Sequence, residues 1–323
     1  MSSSLPSISI IIPTRPGQSE IPAVEAARRL DYPSDRVEIL VVRGRQPAVQ
    51  RNEALKAAGG DWVYFLDDDA QPLPDNLRRA MLHQGDARVK MVGGPNLCPS
   101  DAPPMEQVFA VVLSAWLAFG PSRARYHRVG VARVSGEKEL ILCNLLAERI
   151  AVLEAGGFDE ALYPNEENAL MDAMQKRGAI LRYDPDLVVH RRPRPTLKAF
   201  TRMVFTYGRG RAQQFRLHPT AGSAANFVPP LFCLYLLIFP WLGGIGRVPL
   251  AAYFFALLFQ FFLSAADHGI ARSLLALPLV VLTHIGYGLG FWRGLFTPLK
   301  TATPPPRTEV LLERASPALP HRD

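Results

Sequence analysis

The chain has 323 residues, with 36 Lys and Arg against 29 Asp and Glu for a net charge of +7, and a mean hydropathy of +0.06. That length holds a core of ordinary size and roughly two domains. The basic balance suits an anionic partner such as a nucleotide phosphate or an acidic lipid surface. Three cysteines, none at metal-ligand spacing, exclude a disulfide framework and a zinc site, and the first residues are not expected to form a secretory signal, lacking a basic start and a long apolar run.

Ser7 to Ile12 is an almost unbroken β-branched run, the pattern of a strand buried on both faces of a parallel sheet, and Pro13-Thr14-Arg15-Pro16-Gly17 then turns the chain. A helix is expected from Ile21 to Leu30, a second buried strand over Val37 to Val42, and a helix from about Ala48 to Ala58 closed by Gly59-Gly60. Strand, helix, strand makes one right-handed crossover unit of an α/β sheet. Arg43 and Arg45 end the second strand, Arg45 reading as a solvated arginine. Arg51 and Asn52 fall near the start of the second helix, where a phosphate is readily held.

The third strand, Trp62 to Leu66, ends in Asp67-Asp68-Asp69. In an open α/β sheet, ligands bind beyond the carboxyl ends of the strands. Alternation turns Asp67 and Asp69 to one side and Asp68 to the other, and two carboxylates on one side repel unless a cation lies between them. Oxygen ligands of this kind suit Mg2+ or Mn2+, with substrate phosphate completing the shell. The plainer alternative is a solvated acidic turn.

Val89 to Gly93 reads as a further strand and Val108 to Phe119 as a buried or interfacial helix, too short to span a bilayer. The basic run Ser122 to Arg133 reads as a flexible solvated loop, and Arg149 to Ala155 as a helix. Glu166 and Glu167, in Tyr163-Pro164-Asn165-Glu166-Glu167-Asn168, precede a helix expected over Ala169 to Arg177. Acids there either complement the helix N-terminus or supply a general base. Strands over Ala179 to Tyr183 and Leu187 to Val189 lead to His190, either a structural histidine or a contact for metal or phosphate.

Leu197 to Arg216 sets Lys198, Arg202, Arg209, Arg211 and Arg216 among Phe200, Met203, Val204, Phe205 and Phe215, as in a helix lying in a bilayer interface. A nucleic-acid face is the competing reading, and the apolar segments next in the chain decide against it. Ala224 to Gly243, Pro249 to Ala266 and Leu274 to Trp292 each approach the ~20 apolar residues that cross a bilayer. Three crossings would put the basic tail from Arg293 on the far side from the N-terminal domain, against the positive-inside rule. Either that holds, or the first stretch re-enters at Pro229-Pro230. The Pro-rich tail, Thr301 to Asp323, is expected to be disordered. The expected organisation is an α/β domain over residues 1–196 with a mostly parallel sheet, an interfacial region over 197–222, about three membrane helices over 223–295 and a disordered tail over 296–323.

Taken together, Ile10-Ile11-Ile12-Pro13-Thr14-Arg15, Gln50-Arg51-Asn52-Glu53-Ala54, Phe65-Leu66-Asp67-Asp68-Asp69, Gly156-Gly157-Phe158-Asp159-Glu160, Asn165-Glu166-Glu167 and Val188-Val189-His190-Arg191 resemble, in order and rough spacing, a family 2 inverting glycosyltransferase of GT-A fold. The resemblance spans about residues 7 to 215, and the basic helix and apolar tail resemble membrane-attached members that build bacterial surface polysaccharides or lipid-linked glycans. It implies a nucleoside-diphosphate sugar donor, a glycan or lipid-linked acceptor, a divalent cation (Mn2+ or Mg2+), contact with membrane lipid, no nucleic acid, and a bacterial inner membrane with the catalytic domain facing the cytoplasm. It further implies Asp69 on the metal, Asp67 and Asp68 by the ribose and metal-bound diphosphate, and Pro13, Thr14, Arg15, Arg51 and Asn52 along the nucleotide. His190 would approach the metal, and Glu167, beside Glu166, would be the base. Arg43 stands where the family usually has a base-reading acid. Two other readings are a nucleotidyltransferase, for which a second metal-binding acid set is not found, and a non-catalytic subunit that binds nucleotide or scaffolds a polysaccharide synthase complex.

Overall fold

The computed structural model describes residues 5–160, 162, 165–217, 219, 221–299 and 310–317, without the side chains of 221 and 222. In chain order the elements are β1 (Ile8–Thr14), α1 (Pro22–Ala27), β2 (Val37–Arg43), α2 (Pro47–Ala57), β3 (Trp62–Leu66), β4 (Gln71–Pro72), α3 (Asn76–Met81), β5 (Val89–Gly93), β6 (Asn96–Leu97), α4 (Pro104–Ser114), α5 (Trp116–Phe119), β7 (Arg133–Ser135), β8 (Asn144–Glu148), α6 (Arg149–Glu154), α7 (Glu166–Lys176), β9 (Ile180–Tyr183), β10 (Val189–His190), α8 (Leu197–Leu217), α9 (Val228–Ile238), α10 (Val248–His268), α11 (Ile270–Phe296) and β11 (Leu311–Ala315). They fall into two units that interleave along the chain. One takes its described residues from 5–97, 124–191 and 310–317, the other from 98–123 and 192–299. Residues 98–123, set between two stretches of the first unit, belong with the helices of the second.

The first unit is built on an eight-stranded sheet of order β11-β2-β1-β3-β8-β5-β9-β7, with a small sheet β4-β10-β6 beside it. The half that carries the acid triplet is parallel, β1 pairing with both β2 and β3. Beyond it β8 runs antiparallel to β3 and β5, and β5 parallel to β9, so antiparallel pairs join the parallel ones in one α/β sheet. Residues of β1 and β3 alternate between two apolar cores. Ile8, Ile10, Ile12, Tyr64 and Leu66 enter one, and Ile11, Val63 and Phe65 the other. This is why both segments are apolar without interruption. The buried Tyr64 hydroxyl donates to Asn144 Oδ1 (2.8 Å) and accepts from Asn76 Nδ2 (3.1 Å), so β3 buries no orphan polar atom there.

The expected helix over Ile21 to Leu30 is shorter, ending at Ala27. Gly59-Gly60 does not close α2 by a left-handed cap; Ala58 occupies the cap in extended backbone, and Gly60 instead lies against β1, where a Cβ would come within 2.6 Å of the Ser9 nitrogen. The basic loop is also less solvated than expected. Arg133 pairs with Glu139 (2.6 Å) and lies over the Tyr183 ring, and Arg125 donates to Asn168 Oδ1 (2.6 Å).

The tail departs furthest from expectation. Residues 301–309 and 318–323 lie outside the described residues, but Leu311–Ala315 is a strand, antiparallel to β2 from Arg43 to Ile39. The free edge of β2 supplies the hydrogen-bond partners that this short, weakly patterned segment lacks by itself.

In the second unit, α8 and α11 touch backbone to backbone. A Cβ at Gly208 would fall 2.0 Å from Tyr287 O, and one at Gly290 2.0 Å from Phe205 O. Phe109 of α4 stacks on Phe200 of α8 at 4.6 Å. Three segments, Ser223–Trp241, Gly244–His268 and Ile270–Phe296, are long and apolar enough to cross a membrane. Phe254, Phe255, Phe259 and Phe262 of α10 face outward, uncovered by protein.

Candidate functional site

The carboxyl ends of β1, β2 and β3 place Thr14, Arg43 and Asp67 to Asp69 along one sheet edge. Gln50 of α2 fastens this edge from beneath. Its buried amide donates to Thr14 O (2.9 Å) and Val42 O (2.5 Å). Thr14 is itself buried and donates to Gln18 Oε1 (2.9 Å), whereas Arg15 is exposed and Pro13 half-buried. Arg43 is held by Glu313 of the C-terminal strand (2.8 Å) and by Gln18 O (2.7 Å); Arg45 is exposed, as expected.

Asp67 and Asp69 do turn the same way. Both bind Arg191, Nη1 to Asp67 Oδ2 at 2.9 Å and Nε to Asp69 Oδ1 at 2.5 Å. Asp68 is half-buried, and its backbone carbonyl accepts from Ala23 N. The two carboxylates thus converge on one positive group, and the guanidinium occupies the position that a cation between them would take. Their oxygens fit a divalent ion, but among the described residues no three His, Cys, Asp or Glu side chains gather into a metal cage. An ion held here would therefore need further oxygens from a bound diphosphate and water.

His190, the other expected metal contact, lies in the short strand that leads into Arg191. Its backbone pairs with Gln71 in the small sheet, and among the described residues it completes no three-ligand group with Asp67 and Asp69. Neighbouring residues of an extended chain point to opposite faces, and here Arg191 takes the side of the acids. Burial first, then the Arg128 charge, lower the His190 pKa, which keeps the ring neutral at physiological pH.

Arg51 links the acids to the opposite wall. It is buried, donates to Asp67 Oδ1 (3.3 Å) and Glu166 Oε1 (3.1 Å), and lies 5.8 Å from the centre of the Phe158 ring. Glu166 and Glu167 are the first two residues of α7, which starts three residues earlier than expected. Asn165 before them has φ 102, the one non-glycine residue with positive φ among those described, a strained backbone of the kind that clusters at functional sites. Burial first, and then the adjacent Glu167 charge, push the Glu166 carboxyl up to about 7 against the pull of Arg51. Its Oε2 has no hydrogen-bond partner among the described residues. Glu167 is half-buried.

Asn52 is not turned to the sheet edge. Its amide grips the 156–160 turn, donating to Phe158 O (2.8 Å) and Glu160 Oε1 (2.9 Å) and accepting from Phe158 N (2.9 Å). Gly157, at φ +70, brings its backbone so close that a Cβ would lie 2.7 Å from Asn52 Oδ1. Asn52 and the Gly156-Gly157-Phe158 motif are thus joined in one contact. Sequence reasoning missed Arg191 and Gln50. The signal for Arg191 was its place one step beyond His190, on the alternate face.

Residues 18–103 match the family model described as glycosyl transferase family 2. The pre-mycofactocin glycosyltransferases of two Mycobacterium tuberculosis strains, CDC 1551 and H37Rv, are each 27% identical over 173 residues, covering 54% of this chain and 36% of theirs. The chain thus spans about a third of the length of the curated relatives it matches. In fold it is similar to the mannosyltransferase PcManGT from Pyrobaculum calidifontis, solved in complex with GDP-Man and Mn2+, with a TM-score of 0.53 and 17% identity over 91% of this chain and 88% of that one.

Proposed function

From a family 2 glycosyltransferase region set in a GT-A-like α/β fold, we propose that this chain is a membrane-associated glycosyltransferase. It moves a sugar from a nucleoside-diphosphate sugar to a hydroxyl of a glycan or lipid-linked acceptor, with inversion. The observation that carries this reading is the convergence of Asp67 and Asp69 on one positive group at the carboxyl edge of the parallel strands, with Arg51 joining them to Glu166.

The donor diphosphate meets the positive groups of this edge, Arg51 and Arg191, beside the β1 loop at Thr14 and Arg15. Asp67 and Asp69 would hold Mn2+ or Mg2+, which when bound offsets the charge growing on the leaving nucleoside diphosphate. Glu167, half-buried at the start of α7, accepts the proton of the acceptor hydroxyl as its oxygen attacks the anomeric carbon from the face opposite the diphosphate. Glu166, tied to Arg51, keeps that guanidinium in register with Asp67 and is a positioning residue. The outward-facing apolar side chains of α9 and α10 are covered by membrane lipid.

The test is donor hydrolysis by detergent-purified protein over a panel of nucleotide sugars with Mn2+, Mg2+ or EDTA. Metal-dependent release of one nucleoside diphosphate is the expected result. Nucleotide binding with no turnover, even with acceptor lipid extracts added, would leave the non-catalytic subunit reading in its place.

A further inference from the structure

β11 comes after all three apolar segments in sequence, yet it belongs to the sheet that precedes them. Leu311 to Ala315 pair with Arg43 to Ile39, and two ion pairs, Arg43 with Glu313 (2.8 Å) and Glu38 with Arg314 (2.7 Å), flank the pairing. A strand hydrogen-bonded into a sheet lies on the same side of a bilayer as that sheet, because a backbone ladder cannot be made across hydrocarbon. Resting on the membrane association proposed for this chain, we infer that the segment between Arg191 and Val310 crosses the bilayer an even number of times, and that the helix which does not cross is α9.

The helical unit shows independently why α9 fails to cross. α10 and α11 are joined by Gly269 alone, and Tyr253 hydrogen-bonds His284 at 2.7 Å. These residues stand 16 before and 15 after that glycine, so the two helices form an antiparallel hairpin. α9 also runs antiparallel to α11. Pro230 O accepts from Trp292 Nε1 (3.0 Å), and Cys233 Sγ lies 3.6 Å from Ile285 O, so rising numbers on one helix meet falling numbers on the other. Two helices antiparallel to a third run in the same direction as each other.

For consecutive segments, running in the same direction requires the connection to return to the starting level. That connection, residues 239–247, contains two 3-10 turns, Phe239–Trp241 and Gly244–Arg247. At about 2 Å of rise per residue it is too short to recross ~30 Å of hydrocarbon. It doubles back instead, with Tyr235 donating to Gly246 O at 3.0 Å. α9 itself has 11 residues, about 16 Å of helix, and the apolar stretch Ser223–Trp241 reaches crossing length only with the 3-10 turns at its two ends. Pro229 and Pro230 sit in its first turn, where a missing N–H costs little. α9 is thus a re-entrant segment, and α10 and α11 enter and leave together.

The charges agree. The hairpin's two open ends carry Arg247 and Arg293, and Arg216 of α8 caps the end of α11 through Gly294 O and Thr297 O. The closed end carries Arg272 balanced by Asp267. The arginine-rich side is the side to which the chain returns, which the positive-inside rule assigns to the cytoplasm.

The experiment fuses green fluorescent protein or alkaline phosphatase to the full chain, in separate fusions, before Met1 or after Asp323 in a bacterial host. The expected result is fluorescence from both ends and phosphatase activity from neither. Ends reporting opposite sides would overturn the inference. A single-cysteine pair read with a membrane-impermeant maleimide, Asp35→Cys on the sheet domain and Ser316→Cys after β11, gives the same answer without a fusion; equal protection supports the inference, and labelling of one alone overturns it. Membrane sedimentation that survives carbonate is scored separately. Its loss would remove the membrane reading, whereas opposite-sided ends in a carbonate-resistant protein would remove only this one.

Discussion

Replacing Arg191 by Gln tests the arrangement of the acids most directly. One guanidinium serves both Asp67 (2.9 Å) and Asp69 (2.5 Å), so a divalent cation entering between the carboxylates must first displace it. A buried charge-assisted hydrogen bond contributes about 1.5–3 kcal/mol, but Asp69 is 47% exposed, and solvent reduces exposed ion pairs to about 0–1 kcal/mol. The pair of contacts together is then worth about 1–3 kcal/mol, and its removal should tighten Mn2+ binding to nucleotide-free protein by about 5- to 150-fold. With a nucleoside diphosphate present the gap should narrow, since the phosphates offer Arg191 another anion. The assay is titration of detergent-purified protein with Mn2+, following free Mn2+ by electron paramagnetic resonance, with and without GDP or UDP. Arg45→Gln, which removes an exposed arginine of the same edge, controls for net charge. Unchanged or weaker Mn2+ binding in Arg191→Gln, or an equal gain in Arg45→Gln, would refute the reasoning.

Two further substitutions separate the neighbouring glutamates. Glu167→Gln should lower sugar transfer by about 10²- to 10⁴-fold, the usual worth of a positioned base, while nucleotide affinity stays within about twofold; substantial turnover would remove Glu167 from the reaction. Glu166 should instead be read in stability against pH. Its folded pKa, about 7, lies above the unfolded value of about 4.3, so the folded state binds the extra proton between those limits and stability falls as pH rises through that window, by on the order of 3 kcal/mol for the full span. Glu166→Gln should flatten that slope in thermal unfolding scanned from pH 4.5 to 7.5, and a slope equal to the parent's would exclude the buried carboxyl as its source.

Much of the first unit was legible because its determinants are local. Ile8 to Ile12 and Trp62 to Leu66 are apolar at every position, or nearly so, and each alternates between two cores, which only a strand covered on both faces requires. The shared direction of Asp67 and Asp69 followed from the two-residue period of an extended chain. The mixed sheet was not legible, since whether β8 enters parallel or antiparallel to β3 is set by the path of the chain between them and leaves no mark on residues that are buried in either case. The contact that Asn52 makes was hidden for a related reason. Its place in the chain beside Arg51 is compatible with a turn toward the phosphates, and only the approach of the 156–160 turn shows that its amide is already fully engaged. The same local patterns singled out His190 and gave no sign that Arg191, one step past the strand, meets both acids.

The sequence by itself determined the strands β1, β2, β3, β5 and β9, where the carboxylates stand and which helices are too apolar for water, because periodicity and hydropathy act within a few residues. The tertiary structure alone decided that Arg191 bridges the acids, that Asn52 serves the fold, and that Leu311 to Ala315 returns to the edge of β2. The last of these has the plainest physical reason. Leu-Leu-Glu-Arg-Ala has neither the length nor the alternation to be a strand unaided, and it becomes one only where β2 presents an unpaired row of N–H and C=O groups to receive it.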